Sequence, residues 1–180
     1  MHSIEELSKQ IRNVPDFPME GVVFKDITTL LTHPGSLRDA AHHMEEACSV
    51  FEYDAVAAIE SRGFIFGAII AADRDLPLVL IRKPGKLPAE TISREYSLEY
   101  GTNTVEMHRN ALPKGSRVLI VDDLIATGGS ALAAADLLRR DGCTVAGAAF
   151  VIDLCFLGGG GKLRNSGVDY VGLIEVSSEQ

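Results

Sequence analysis

The sequence predicts an α/β protein with a mainly parallel sheet flanked by helices. Short apolar runs of strand length alternate with segments whose apolar residues recur at helical spacing. Such alternation is typical of parallel strands joined by crossover helices. Polar residues follow directly after several strands, which is the edge of a parallel sheet where ligands bind.

Composition narrows the class of protein. The 180 residues suit a single domain, 1–180, with a hydrophobic core. A net charge of −8 without a long basic cluster disfavours nucleic-acid binding. Three cysteines without CxxC spacing favour reduced thiols. The first residues lack a secretory pattern, and no apolar run approaches the roughly 20 residues that span a bilayer, so we expect a cytoplasmic protein.

Two helices are predicted in the first third of the chain. Ser3 and Glu6 form a capping box before a helix whose apolar spacing continues to Val14. The second helix has Ser36 as its N-cap. Its apolar face consists of Leu37, Ala41, Met44, Cys48 and Phe51. The proline-rich segment between them, 14–31, is expected to be irregular.

The remaining chain alternates strands and helices. We expect strands at 53–60, 76–82, 104–108, 117–123, 144–153 and 169–176, and helices from 63 to about 73 and from 129 to 142. The polar segment 83–104 is predicted to be a long mobile loop. The glycine run 158–161 is predicted to be a flexible surface turn.

A candidate phosphate site lies in the stretch RVLIVDDLIATGGS (117–130), where a buried strand passes into a helix. Small residues allow backbone N–H groups to point inward, and the helix N-terminus adds partial positive charge. The spacing fits neither a Walker A loop nor a dinucleotide fingerprint. The loop residues are Ala126, Thr127, Gly128, Gly129 and Ser130. A monophosphate suits this loop, and a plain strand–helix turn is the alternative interpretation.

Two adjacent carboxylates, Asp122 and Asp123, precede that loop. Buried neighbouring carboxylates need partners. Ribose hydroxyls or Mg²⁺, bound directly or through water, would supply them. Successive strand residues point to opposite faces, so the two need not share one role. Helix N-capping is the alternative interpretation.

A second candidate anion site follows another strand. Backbone N–H groups, the Ser61 hydroxyl and the bidentate Arg62 guanidinium suit a pyrophosphate. Arg82, Lys83 and Lys86 concentrate positive charge in an otherwise acidic chain. The alternatives are a surface arginine at a helix start and a solvated basic loop.

These motifs resemble a known family. VLIVDDLIATGGS is similar to the phosphoribosyl pyrophosphate signature of the type I phosphoribosyltransferases. The segments 17–28, 60–68, 81–88 and 97–108 resemble, in the same order, those of the adenine phosphoribosyltransferases. The resemblance covers residues from about 10 to about 175. It implies the type I fold with a small hood (14–31 and 153–165), a mobile catalytic loop (83–104), Mg²⁺ and a homodimer.

The implied reaction joins adenine and phosphoribosyl pyrophosphate to give AMP and pyrophosphate. By this resemblance the 126–130 loop holds the 5-phosphate, and Asp122 and Asp123 face the ribose hydroxyls. The turn at Ser61 and Arg62, often with a cis peptide in the family, cradles pyrophosphate. Lys83 and Lys86 match basic residues that reach pyrophosphate across the family's dimer interface.

The resemblance also implies an adenine pocket and a proton-handling group. The pocket residues are Val23, Phe24 and Lys25 of the hood, with Leu154 on the opposite face of the base. Glu99 matches the acidic residue that handles a purine proton, and Tyr100 lies beside it in the mobile loop.

One position separates the base classes within the resemblance. Relatives acting on 6-oxopurines carry Asp immediately before the Thr-Gly pair, where this chain has Ala126. Lys25 and Glu60 replace the Arg and Asp of some relatives, and the glycine run replaces a more polar turn. Two alternatives stay open: transfer to xanthine, guanine, hypoxanthine or orotate, and a regulator that senses phosphoribosyl pyrophosphate and binds nucleic acid.

Overall fold

The computed structural model describes residues 1–97 and 101–178. The helices are α1 (Ile4–Lys9), α2 (Thr28–Thr32), α3 (Ser36–Ala47), α4 (Gly63–Asp73), α5 (Gly129–Arg140) and α6 (Gly159–Asn165). The strands are β1 (Arg12–Pro15), β2 (Val23–Asp26), β3 (Ala55–Ile59), β4 (Leu78–Ile81), β5 (Thr91–Ser97), β6 (Thr102–His108), β7 (Arg117–Ile125), β8 (Thr144–Leu154) and β9 (Tyr170–Val176). Within the described ranges, no helix combines the length and the apolar character that a membrane span needs.

The central sheet has five parallel strands in the order β4-β3-β7-β8-β9. The chain leaves β3 toward one edge of the sheet through β4, and then returns past β3 to build the other half from β7 onward. The order therefore reverses between β3 and β7. Ligands of open α/β sheets bind at such a switch point, outside the carboxyl ends of the strands.

The core lies on both faces of this sheet. Successive residues of β3, such as Val56 and Ala57, pack into different apolar clusters on the two faces of the sheet. One cluster takes its helical residues mainly from α5, and the other takes them from α3 and α4. This arrangement follows from the two-residue period of a strand, which points successive side chains to opposite faces. The predicted flanked parallel sheet is confirmed.

The first two predicted helices form, but their ends differ from the prediction. The capping box of Ser3 and Glu6 is present. Helix α1 ends at Lys9, because the next residues pair as a strand, and Val14 lies in β1. Gly35, with a φ of 88°, is the N-cap of α3, and Ser36 is the first helical residue. The prediction of Ser36 as the cap was therefore wrong.

Two segments predicted to be irregular contain antiparallel hairpins. The 14–31 segment includes part of the β1–β2 pair and α2. The 83–104 segment includes β5 and the start of β6, which pair from Thr91 with His108 to Ser97 with Thr102. Each hairpin is shaped by cross-strand pairing and by its contact with the main body, which no local period in the sequence reveals. The prediction of loop over all of 83–104 was wrong.

The glycine run 158–161 is not a flexible surface turn. It opens α6, and both Gly159 and Gly160 are buried. The low complexity of the run does not indicate how closely another segment packs against it. The backbone of Ala126 and Gly128 approaches Gly159 so closely that only glycine fits.

Close packing of α4 on β3 yields a stability test. A Cβ atom built on Gly67 would lie 2.6 Å from the Cβ of Ala58. Gly67→Val should lower the free energy of unfolding by about 2–3 kcal/mol, because the added carbons have no space. The matched control is Ala68→Val on the exposed side of the same helix, with an expected loss of about 0.5 kcal/mol. Urea titration measures both, and equal losses would show that α4 does not pack as described.

Candidate active site

A cleft of about 400 Å³ lies at the carboxyl ends of β3 and β7. Both strands turn into helices here, so the start of α4 and the start of α5 border the same space. The cleft brings together most of the polar residues singled out in the sequence. These are Ser61, Arg62, Lys83, Asp122, Asp123, Ala126, Thr127, Gly128, Gly129 and Ser130.

The loop 126–130, termed here the glycine loop, has the geometry of an anion cradle. Gly128 has a φ of 83°, a left-handed conformation that glycine adopts without strain, and it caps α5. The first N–H groups of a helix have no partners within the helix. In α5 they lie at the end of the helix that borders the cleft. A twelve-residue helix adds its partial positive charge at the same place.

The two aspartates next to this loop are buried, and they have different partners. Asp123 forms an ion pair with the Nε of Arg62, which reaches across from the end of β3. The backbone N–H of Asp123 donates to Asp122 Oδ1 at 2.9 Å. The peptide bond between Glu60 and Ser61, which begins the Arg62 turn, is cis.

The environment of Asp122 disfavours its charge. Burial raises the pKa of Asp122 well above its usual value, the neighbouring Asp123 carboxylate raises it further, and Arg62 offsets a part. A ligand that donates hydrogen bonds to this carboxylate would stabilise the ionised form. The site is therefore suited to a hydroxyl-bearing group beside an anion.

Phe24 of the hood is not among the described residues that border the cleft, but it lies beside Arg62, which is. The Arg62 guanidinium lies 5.8 Å from the centre of the Phe24 ring, so one arginine contacts both the hood and an aspartate. Val23 precedes Phe24 on β2, and Leu154 ends β8, the strand next to β7. Leu154 is almost fully buried. Lys25 points elsewhere: its Nζ donates to Asn13 Oδ1 at 2.9 Å and borders a separate cavity of about 300 Å³.

Of the three basic residues after β4, only Lys83 borders the cleft among the described residues, and Arg82 and Lys86 lie outside it. The Nε of Arg82 lies 3.2 Å from Glu60, and its guanidinium lies 5.8 Å from the centre of the Phe64 ring. Burial raises the pKa of Glu60, but the Lys83 backbone N–H and Arg82 outweigh it and the net shift is downward. The carbonyl of Lys86 accepts a hydrogen bond from Arg82 at 3.3 Å.

Similarity to known proteins agrees with this geometry. A family model described as the phosphoribosyl transferase domain matches residues 26–176. The chain belongs to the phosphoribosyl transferase family. Among curated relatives, the adenine phosphoribosyltransferase of Erythrobacter litoralis is 53% identical over 166 residues, which are 92% of this chain and 93% of that protein.

Solved adenine phosphoribosyltransferases share the fold of this phosphoribosyl transferase. That of Thermoanaerobacter pseudethanolicus has a TM-score of 0.92 and 43% identity, covering 97% of this chain and 100% of that chain. That of Saccharomyces cerevisiae, solved with adenine and an imino-altritol bisphosphate, has a TM-score of 0.86 and 39% identity, covering 95% of this chain and 98% of that chain. The predicted type I phosphoribosyltransferase fold is confirmed.

Several residues that border this phosphoribosyl transferase cleft were not among the predicted site residues, and two of them are aromatic. Tyr96 borders it from β5, and a Cβ on Gly129 would lie 2.8 Å from the Tyr96 ring. Phe150 borders it from β8. Ile92 and Tyr96 lie four residues apart on the same face of β5, but Arg94 between them is exposed, so no alternating pattern indicated a strand.

Two predicted residues, Glu99 and Tyr100, lie outside the described residues. Within 1–97 and 101–178, no group of three or more His, Cys, Asp or Glu side chains is arranged to hold a metal ion. Three carboxylates of the described residues border the cleft: Asp122 and Asp123, which suit a hard cation, and Glu60, which is paired with Arg82.

Removing the Asp122 charge should stabilise the fold. Its raised pKa means that wild-type stability falls as pH rises above about 4, where the unfolded aspartate ionises. Asp122→Asn does not titrate, so it should gain about 1 kcal/mol over wild type at neutral pH, with the difference shrinking toward pH 4. Urea unfolding at several pH values measures this.

The control has the opposite sign. Hydrogen bonds from Arg117 lower the pKa of the exposed Asp54 to about 2. Its stabilising contribution is present above pH 4 and is lost as pH falls toward 2. Asp54→Asn should therefore be less stable than wild type at neutral pH and should match it near pH 2. A pH-independent loss of stability in Asp122→Asn would contradict the assignment of a disfavoured charge.

Proposed function

We propose that this protein transfers the 5-phosphoribosyl group from phosphoribosyl pyrophosphate to adenine, giving AMP and pyrophosphate. The observation that carries the proposal is the pair of buried aspartates beside a helix-capping glycine loop, with alanine at position 126. Curated relatives with about half their residues identical are named adenine phosphoribosyltransferase. The protein acts in purine salvage.

The cleft binds the two parts of the phosphorylated sugar with different groups: hydrogen-bond donors for the phosphate and carboxylate acceptors for the hydroxyls. The glycine loop and the N-terminus of α5 bind the 5-phosphate dianion through backbone N–H groups and the hydroxyls of Thr127 and Ser130. Asp122 and Asp123 accept hydrogen bonds from the ribose hydroxyls. Binding moves the Arg62 side chain from Asp123 toward the pyrophosphate, because the sugar then supplies the hydrogen bonds that Asp123 needs.

Ser61 and Arg62 bind pyrophosphate together with Lys83. Arg82 has a different role, because its positive charge is already paired with the Glu60 carboxylate. Its role is to fix the backbone at Lys83, whose N–H donates to the same Glu60 carboxylate at 2.9 Å. Lys86 contributes from the loop of a partner subunit in a homodimer.

Adenine binds between the Phe24 ring and Leu154. The backbone of Val23 to Lys25 contacts the edge of the base, which agrees with a Lys25 side chain that points away toward Asn13. Ala126 offers no acid or base beside the ring, so the site suits a 6-amino purine better than a 6-oxopurine. The yeast relative was solved with adenine bound.

Mg²⁺ would be held mainly by the substrate, with Asp122 or Asp123 as ligands through water. The Asp122 and Asp123 oxygens suit such a cation, whereas Glu60, a third carboxylate at the cleft, is paired with Arg82. The ion supplies positive charge to the departing pyrophosphate.

The reaction is a displacement at the anomeric carbon of the ribose. A nitrogen of adenine attacks as pyrophosphate leaves, through an oxocarbenium-like transition state. Arg62 and Lys83 stabilise the charge that develops on pyrophosphate, and the aspartates favour positive charge on the sugar. Exclusion of water from the cleft protects the sugar cation, and Glu99 handles the purine proton. We place the enzyme in the cytoplasm.

A panel of bases tests the function. Radiolabelled adenine, guanine, hypoxanthine, xanthine and orotate are each supplied with phosphoribosyl pyrophosphate and Mg²⁺. Only adenine should be converted efficiently, and preference for an oxo base would contradict the role given to Ala126. Transfer to none of them, together with DNA binding in a gel shift at physiological salt, would favour a regulatory protein.

The proton-handling role is tested by Glu99→Leu. We expect kcat to fall about 100-fold, because general acid–base catalysis contributes on that order, while both KM values change little. Steady-state kinetics with adenine measures the change. Glu99→Gln, which keeps the shape of the side chain, should show the same loss. An unchanged turnover number in either variant would remove Glu99 from this role.

A further inference from the structure

The glycine run 158–161 lies directly behind the glycine loop. The backbone N–H of Gly159 donates to the carbonyl of Ala126 at 3.0 Å. A Cβ built on Gly128 would lie 3.0 Å from the carbonyl oxygen of Gly159, so the two backbones are in van der Waals contact. The hydrogen bond occupies the Ala126 carbonyl, whose partial negative charge would otherwise be available near the bound anion.

Gly159 is the residue that permits this approach. A Cβ there would overlap the Ala126 carbonyl and would lie 2.7 Å from the backbone nitrogen of Gly128. The obstruction is backbone on both sides, so no side-chain rotation can relieve it. A larger residue must separate α6 from the glycine loop or deform that loop.

The next glycine meets a side chain that holds α6 in place. A Cβ on Gly160 would overlap the Tyr170 phenol ring. The Tyr170 hydroxyl donates to Asp153 Oδ2 at 2.7 Å, and Arg164 of α6 lies 4.6 Å from the centre of the Tyr170 ring. Tyr170, the first residue of β9, therefore joins α6 to the end of β8. By contrast, a Cβ on Gly161 would meet nothing within 4 Å.

We propose that Gly159 and Gly160, the buried pair of the glycine run, are a positioning element for phosphoribosyl pyrophosphate, in which Gly159 fixes the backbone of the glycine loop in the shape that binds the 5-phosphate. This rests on the proposed function, because it takes the 5-phosphate as the ligand of that loop. Gly159 does not touch the substrate and acts through Ala126 and Gly128.

Three substitutions within the run test the proposal. Gly159→Ala should raise the KM for phosphoribosyl pyrophosphate about 10-fold or more, because sub-ångström displacement of binding groups weakens a preorganised site. The KM for adenine should rise much less, since the proposed base pocket is formed mainly by Phe24 and its neighbours on β2 and by Leu154. Gly161→Ala is the matched control and should equal wild type in both constants.

A second measurement does not depend on catalysis. Ribose 5-phosphate, which carries the same 5-phosphate, should raise the melting temperature of wild type and Gly161→Ala. It should protect Gly159→Ala much less at the same concentration. A purely structural role would lower the melting temperature without changing this protection or the ratio of the two KM values.

The outcomes separate the proposal from the proposed function. A folded Gly159→Ala with a wild-type KM for phosphoribosyl pyrophosphate, or with both KM values raised equally, would overturn the positioning role. If Gly159→Ala does not fold, Gly160→Ala decides, because the end of Tyr170 can move aside. It should raise the same KM about threefold, and an unchanged value would overturn the proposal. A wild type that is protected by ribose 5-phosphate yet transfers nothing to adenine would refute the proposed function alone.

Discussion

The burial of two adjacent carboxylates at the end of β7 is the constraint on which this site depends. Asp122 and Asp123 lie in the sheet interior, where a charge without a partner is costly. The cation nearest to them, Arg62, comes from β3, and it reaches Asp123 only because β3 and β7 are neighbours at the switch point. The ion pair between Arg62 and Asp123 therefore depends on the order of the strands in the sheet.

The same arginine links the anion site to the hood. Its guanidinium contacts the Phe24 ring as well as Asp123. In the proposed reaction, arrival of the sugar and pyrophosphate replaces the Asp123 contact while Phe24 remains beside the base. Arg62 thus offsets a part of the cost of burying the two adjacent carboxylates.

Sequence reasoning identified most polar residues of the cleft, but it did not reveal which side chains pair with one another. Residues directly after parallel strands, such as Arg62 and Asp123, meet because strand ends share one edge. Arg82 was grouped with Lys83 by charge alone, yet Glu60 neutralises it. Tyr96 was missed because its segment was interpreted as loop. Partner choice between side chains from different elements is set by packing, which no local pattern contains.

The sequence by itself determined the alternation of strands and helices, the glycine loop with its preceding aspartates, and, through resemblance, the family. These features are local, because hydrophobic period, turn chemistry and motif spacing act within a few residues. The tertiary structure alone decided the β5–β6 hairpin and the close packing of the glycine run against the glycine loop. Gly159 and Gly160 are glycines because Ala126 and Tyr170 leave no space for a Cβ atom. Neither contact is within one turn of the chain, so no local sequence pattern reveals it. Close approach between separate segments is a property of the packed molecule, and its cause becomes visible only there.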